Sequence, residues 1–403
     1  LTHITRNTFI TYFGTSRVSY LEQIAEQADE MTLPVFLIGG SVRDLLLSRP
    51  HTDFDIAVEG DAPQFANHLA QTYGGQVHIH DHFQTATWIN NKKIIDIASC
   101  RKEYYDHPGA LPRVTRSSLT EDLARRDFSI NALAVCLNCA RFGELIDLYH
   151  GHNDLQTKTI RVLHPKSFQD DPTRIFRAVR FALRIDFQLD PATVSYAKNV
   201  GDALHMISAD RLYTELERLT EERGLYNGSR MLDALHVWHT LFGKKPTSDA
   251  WNHVYKLNEA GKLQPFELLL ALSCGAPLEK YERTKIEKRR QREWRTVSWD
   301  KVNKTTTQGE LHQLLAFISD ESIIFAAYAL SHQDQTRLLT YVQQRKEVTC
   351  TPLLSGKDLQ TLGHTPSPHF SHWLFALTCA QLNGEVTTKK EATTWLSDYI
   401  ANQ

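Results

Sequence analysis

One short unit constrains this chain more than any other feature. Gly39-Gly40-Ser41-Val42-Arg43-Asp44 is followed, nine residues on from Asp44, by Asp53-Phe54-Asp55-Ile56-Ala57-Val58. Leu33 to Ile38 reads as a buried strand that ends at the glycine pair, and Val42 to Leu47 opens a helix. Glycines at such a turn permit positive φ and close backbone approach, so N–H groups at the helix start can meet an anion, with Arg43 as a forked donor. Any tight strand-to-helix turn uses Gly-Gly as well. In the second segment, strand alternation puts Asp53 and Asp55 on one face and Phe54 and Ile56 on the other. Two carboxylates so close destabilise a sheet unless a cation lies between them, and Mg²⁺ suits hard oxygen ligands completed by water and phosphate. The plainer reading is a strand end with two solvated aspartates. The interval joins a phosphate-holding turn to a metal-holding strand in one unit.

With both segments in this order, the sequence resembles the class II nucleotidyltransferase superfamily, the bacterial-type group containing CCA-adding tRNA nucleotidyltransferases and poly(A) polymerases. Its signature is a GG-x-V-R-D turn followed by a D-x-D strand. A third element, Arg125-Arg126-Asp127-Phe128-Ser129-Ile130-Asn131-Ala132, is similar to the R-R-D-F-T-I-N-A stretch of that family, with Ser129 in place of Thr. Physically, Arg126 can clamp a triphosphate, while Asp127 and Asn131 can orient a ribose or a neighbouring Arg. A surface Arg pair opening a core segment is the alternative. Asp96 or Glu103, in the stretch between, is a candidate third acidic group.

The fourth element is the helix Asp170-Asp171-Pro172-Thr173-Arg174-Ile175-Phe176-Arg177-Ala178-Val179-Arg180-Phe181. Pro172 after acidic residues favours a helix start. At 100° per residue, Ile175, Ala178, Val179, Ala182 and Leu183 cover one side, and Arg174, Arg177, Arg180 and Arg184 form a ridge on the other. A solvated basic face would look the same. In the resembled family this segment reads E-D-x-x-R, and its Asp and Arg read the incoming base without a template. Asp170 replaces the Glu here, and Asp171 and Arg174 are intact. A carboxylate accepts from the exocyclic amine of cytosine or adenine, whereas guanine and uracil present a carbonyl there.

The remaining chain is organised around helices. Short strands are expected at 33–38, 54–58, 76–80, 86–90 and 93–98, and helices at 171–185, 191–205, 209–223 and 228–240. The expected class is α+β, with a polymerase-beta-like catalytic head (1–150), a helical neck with base recognition (151–225), a helical body (226–350) and a helical tail (351–403), the last two contacting tRNA. Ser208-Ala209-Asp210-Arg211-Leu212-Tyr213-Thr214-Glu215-Leu216 resembles the family's neck element, and Ser355 to Leu359 and Leu362 to Pro368 resemble its tail.

Composition must be read by region. The net charge of −2 argues against a nucleic-acid partner only as an average. Residues 1–150 carry 13 basic and 18 acidic groups, and 151–403 carry 32 and 29. Lys280 to Lys304 alone holds ten basic against four acidic residues, with Trp294 and Trp299 interleaved. That suits a groove tracking RNA backbone, or equally a mixed-charge helix whose tryptophans face the core. The six cysteines are scattered through a long chain and read as reduced, with Cys136 and Cys139 as two small core residues rather than a metal site. No run reaches the ~20 apolar residues of a membrane helix, and no signal-peptide pattern opens the chain, so a cytoplasmic protein with no membrane partner is expected. No feature specifies an oligomeric state.

The resemblance implies a template-independent enzyme adding C and/or A to the tRNA 3′ terminus from CTP and ATP with Mg²⁺. Asp53 and Asp55 would be the catalytic, metal-binding pair. Gly40, Arg43, Arg126, Asp171, Arg174, Arg177 and Arg180 would bind the nucleotide. CC-only or A-only addition and poly(A) synthesis share these motifs. A non-catalytic RNA-binding protein and a small-molecule nucleotidyltransferase are the remoter alternatives.

Overall fold

The computed structural model describes residues 2–49, 54–80, 84–90, 93–104, 113–273, 278–329 and 332–402. Asp53 lies outside these. The chain packs as two units, Leu1–Leu241 and Phe242–Gln403.

The first unit is built on a mixed sheet. Its strands are β1 (Val35–Ile38), β2 (Phe54–Val58), β3 (Gln76–His80), β4 (Thr85–Asn90) and β5 (Lys93–Ser99). A two-stranded hairpin, β6 (Arg101–Tyr104) and β7 (Arg113–Arg116), lies outside the sheet, and β8 (Leu133–Cys136) and β9 (Leu145–Asp147) complete it. The order is β3-β4-β5-β2-β1-β8-β9. All of its pairings are antiparallel except β2 with β5, which run parallel with Asp55 opposite Asp96. β1 and β8 are apolar throughout, as strands covered on both faces are, with all four residues of each buried, whereas β2 and β5 carry Asp55 and Asp96. β4 alternates, with Ala86 and Trp88 turned into the core. The helix Ala62–Tyr73 covers β4 and β5 with Phe65, Ala66 and Leu69, and starts where the Asp61 carboxylate accepts from Gln64 N–H.

The α+β class and the five expected strands agree with this sheet to within two residues at either end. The helices differ in their bounds. The expected 171–185 helix begins at Arg174, because Asp171 is extended (φ −139°, ψ 98°) after a four-residue helix at Ser167–Asp170. The 191–205 segment stops at Lys198 and resumes as a 3₁₀ turn, Gly201–Met206, with Gly201 at φ 59°. The 209–223 helix ends at Thr220. The 228–240 segment is two helices, Leu225–Ala234 and Val237–Phe242, broken at His236, whose φ is 63°. Cys136 is buried as expected, but Cys139 sits on an exposed 3₁₀ turn after Asn138 and is not a core residue.

The second unit is helical among its described residues. One core gathers Val302, Leu311, Leu315, Ile323, Leu338 and Tyr341, and another Leu354, Leu359, Leu377, Ala380 and Leu396. Trp294 and Trp299 turn inward: their rings lie 5.2 Å apart, Trp294 meets Phe325 at 4.8 Å, and Trp299 packs on the first core. Of the two readings of Lys280 to Lys304, the tryptophans follow the core-facing one. Its cations divide: Arg290 pairs with Glu267, whereas Lys285, Lys288, Arg292 and Arg295 are exposed along one face of the helix Lys285–Thr296. No helix among the described residues is long and apolar enough to cross a membrane.

Candidate active site

The glycine turn depends on Gly39 for two reasons. Its φ and ψ are 62° and −123°, a conformation open to glycine that strains an L side chain by about 1–3 kcal/mol. A Cβ there would also stand 2.6 Å from Arg126 Nη1. Gly39 N–H donates to Leu133 O, and its carbonyl accepts from Arg43 N–H, which ties β8 to the turn and the turn to the Gly40–Leu46 helix.

Arg43 does not present an open fork. It is 5% exposed, with Nε and Nη2 donating to the Asp44 carboxylate at 2.8 and 2.9 Å and Nη1 to Asn131 Oδ1 at 2.8 Å. The group expected to bind phosphate is therefore a brace between the turn and the Asp127–Asn131 segment. That brace continues: Asn131 Nδ2 donates to Asp127 Oδ1, and Arg177 Nε and Nη2 both donate to Asp127 Oδ2. Burial works to raise the Asp127 pKa, but the Arg177 guanidinium and these hydrogen bonds prevail and hold it below the usual carboxylate value. Phe181 lies beneath the whole group, with the guanidinium carbons of Arg43, Arg177, Arg180 and Arg184 5.1 to 5.9 Å from its ring centre.

Arg126 is anchored by Nη2 to Asp122 Oδ2 at 3.0 Å and by Nη1 to Asn131 O at 3.2 Å. Asp122 is almost fully buried. Burial pushes its carboxyl up, and the Arg126 and Arg125 charges override that and depress it. Arg174 donates to Ser167 Oγ and to Arg125 O. Asp171 accepts from Thr173 and from Arg211. The arginine ridge divides: Arg174 and Arg180 are 6% and 7% exposed, Arg177 is half-buried and Arg184 is exposed, so a fully solvated basic face does not describe it.

These groups bound a cleft of about 780 Å³. Of the seven expected nucleotide-binding residues, Gly40, Arg43, Arg126, Asp171, Arg174 and Arg177 line it. Arg180 does not: it lies behind the wall and donates to Glu215. A second cleft of about 420 Å³ adjoins through the shared Gly39, Gly40, Arg125 and Arg126. Its floor is the open face of the sheet. Asp55 and Asp96, register partners on neighbouring parallel strands, point to the same face, and Thr87 Oγ1 donates to Asp96 at 2.6 Å. Asp55, which also accepts from Ser41 Oγ at 3.4 Å, and Asp96 are adjacent carboxylates of the kind that suits a hard divalent ion. Asp53 cannot be placed, as it lies outside the described residues. The two candidates for a further acidic group separate clearly: Asp96 stands beside Asp55, while Glu103 turns to Arg125 Nη1 at 2.8 Å and Arg101.

Several participants were not picked out from the sequence. Asp122 anchors Arg125 and Arg126, three and four residues on, while Phe181 meets Arg43 as well as the arginines of its own helix, and Glu215 pairs with Arg180, 35 residues back. Arg211 lay within the quoted neck element, but nothing in its spacing tied it to Asp171.

The chain is similar to known proteins over nearly its whole length. Residues 35–161 match the family model of the poly A polymerase head domain. An A-adding tRNA nucleotidyltransferase of Halalkalibacterium halodurans is 36% identical over 394 residues, spanning 94% of this chain and 92% of that protein. A CCA-adding enzyme of Limosilactobacillus reuteri is 29% identical over 90% of this chain and 92% of its own length. Among solved structures, the Thermotoga maritima CCA-adding enzyme complexed with tRNA is 26% identical with a TM-score of 0.70, covering 98% of both chains. A CCA-adding enzyme with ATP is likewise 26% identical, with a TM-score of 0.72 and 98% coverage of both chains. With the head motifs in order and similarity running almost from end to end, the chain belongs to the tRNA nucleotidyltransferase and poly(A) polymerase family.

Proposed function

We propose that this protein is a template-independent nucleotidyltransferase that extends the 3′ end of tRNA with C and/or A from CTP and ATP, in the cytoplasm. One observation carries the reading: a carboxylate, Asp171, stands in an arginine-walled cleft that opens through Gly39-Gly40 onto the carboxylate-bearing face of the sheet. The larger cleft takes the nucleotide. Asp171 and Arg174 read its base, Arg126 and the glycine turn hold the triphosphate, and Arg43, Arg177 and Arg180 keep that wall in place. The smaller cleft takes the terminal ribose of the RNA.

Nucleotidyltransferases work with a divalent metal, and we assign it as Mg²⁺ held by Asp53, Asp55 and Asp96. When bound it lowers the pKa of the RNA 3′-hydroxyl and neutralises charge on the triphosphate. The hydroxyl oxygen, its proton passing to solvent, bonds to the α-phosphorus, the bond to the bridging oxygen of the β-phosphate breaks, and pyrophosphate leaves. This chain's own contribution is orientation and fixed positive charge, so no covalent enzyme intermediate forms.

The division into head (1–150), neck (151–225), body (226–350) and tail (351–403) is part of the same proposal, with body and tail contacting tRNA. Its support in the body is the exposed row Lys285, Lys288, Arg292 and Arg295, three of which line a cleft of about 350 Å³.

Within the class, A addition is the activity best supported, because the A-adding relative is both more similar than the CCA-adding one and matched over nearly the full length. End-labelled tRNA transcripts ending before CCA, after CC and after CCA separate the possibilities when incubated with CTP, ATP or both. A single A on the transcript ending in CC is expected. Long A tails on the complete tRNA would overturn the reading in favour of poly(A) synthesis.

A further inference from the structure

Asp171 has no regular backbone to fix its side chain. It sits in the extended break between the helices Ser167–Asp170 and Arg174–Ile185. Its orientation comes instead from four hydrogen bonds. Oδ1 accepts from Thr173 N–H at 3.1 Å, from Thr173 Oγ1 at 2.7 Å and from Arg211 Nη2 at 2.9 Å. Oδ2 accepts from the same Arg211 Nη2 at 2.9 Å. Arg211 Nη2 also reaches Thr173 Oγ1 at 3.2 Å, which closes a three-residue ring.

The distribution of these bonds is uneven. A carboxylate has about four lone-pair positions, two on each oxygen. Three donors converge on Oδ1 and one on Oδ2, so the acceptor capacity that remains is on Oδ2. The side chain is 18% exposed, and it lines the larger cleft together with Arg211 and Thr173. Arg211 comes from a different element, the helix Ala209–Thr220, whose N-terminus is set by Ser208 Oγ accepting from Arg211 N–H. The position of the carboxylate is therefore fixed from a second helix.

We propose that Arg211, acting with Thr173, is the positioning residue that sets nucleotide specificity. It fixes Asp171 so that Oδ2 meets the exocyclic group of the base, accepts from the amine of adenine or cytosine, and faces the carbonyl of guanine or uracil acceptor to acceptor. Without Arg211 the carboxylate can turn about its own χ angles, and a solvent molecule can fit between it and a carbonyl. This inference rests on the base-reading role given above to Asp171, and the experiment separates the two.

The test is kcat/KM for ATP, CTP, GTP and UTP on tRNA transcripts lacking CCA and ending in CC, with the full chain as wild type and as Arg211→Met, Arg211→Lys, Thr173→Val and Asp171→Ala. Arg211→Met should lower the ATP-to-GTP or CTP-to-UTP ratio about tenfold to a hundredfold, since that is the range one well-placed base contact commands. Arg211→Lys should recover part of the ratio, because it restores a donor to the carboxylate. A purely structural tie would instead lower kcat/KM by one common factor for all four nucleotides, and that result would overturn the inference. If Asp171→Ala abolishes the ratio while Arg211→Met preserves it, the positioning role alone falls. If Asp171→Ala preserves it, base reading by Asp171 falls as well. Should Arg211→Met fail to fold by circular dichroism, Thr173→Val gives the same readout: a lowered ratio supports the inference and an unchanged one overturns it.

Discussion

Replacing Asp127 with Ala should both destabilise the first unit and weaken nucleotide use. The carboxylate accepts from Phe128 N–H, Asn131 Nδ2, and Nε and Nη2 of Arg177, and its side chain is 8% exposed. Removing one partner of a buried pair costs about 3–5 kcal/mol, because the other charge is stranded. The Arg177 side chain is 32% exposed, so water can recover part of its solvation, and a loss of about 2–3 kcal/mol is the expected figure. The same cut releases Asn131, and through it Arg43, so the glycine turn loses its brace and KM for ATP should rise.

The pH dependence has a definite sign. Burial raises the Asp127 pKa, and the Arg177 charge together with the hydrogen bonds from Asn131 and Arg177 outweighs it, so the folded value lies below the ordinary 3.8. A carboxyl depressed in this way contributes its full stabilisation above the unfolded value and loses it as pH falls through the folded one. The difference between wild type and Asp127→Ala, measured by urea unfolding followed by circular dichroism, should therefore be whole at neutral pH and shrink below about pH 4. A loss under about 1 kcal/mol at pH 7, or one that is the same at pH 3, would refute the assignment of Asp127 as an ionised, buried partner of Arg177.

Other outcomes follow from the same geometry. Asp55→Asn should reduce nucleotide incorporation roughly a thousandfold or more while leaving the thermal midpoint within a few degrees, and near-normal activity would remove Asp55 from catalysis. Gly39→Ala should cost about 1–3 kcal/mol and raise KM for ATP, because the backbone there strains an L side chain and the added Cβ meets Arg126 Nη1; a neutral effect on both would contradict the strained turn. Combining Lys288→Gln, Arg292→Gln and Arg295→Gln should raise KM for tRNA and flatten its dependence on log salt by about 2–3, with KM for ATP unchanged. An unaltered salt slope would place RNA binding elsewhere.

What could be read from the sequence was local. Gly39-Gly40, the Asp55 strand and the Asp171 to Arg184 segment each carry their pattern within a few residues, and spacing alone reveals the turn, the alternation and the arginine ridge. What failed depends on contacts distant in sequence. Arg43 looks like a phosphate donor until Asn131, 88 residues away, takes its Nη1. Arg180 belongs to the same ridge as Arg177 but meets Glu215, 35 residues on, and lies behind the cleft wall. Asp96 and Glu103 were equivalent as acidic residues; only the parallel register of β2 and β5 puts the first beside Asp55. Charge density likewise could not orient the helix Lys285–Thr296. Its Trp294, with Trp299 of the next helix, joined the core and left Lys285, Lys288, Arg292 and Arg295 outside.

The central claim is that protein side chains in the larger cleft select the base. A crystal structure with RNA ending in CC and a non-hydrolysable ATP analogue tests it most directly. The adenine exocyclic nitrogen should lie about 3 Å from Asp171 Oδ2, with Arg211 still on the carboxylate and the triphosphate against Arg126 and the glycine turn. An adenine bound away from Asp171, or a triphosphate in the smaller cleft, would contradict it.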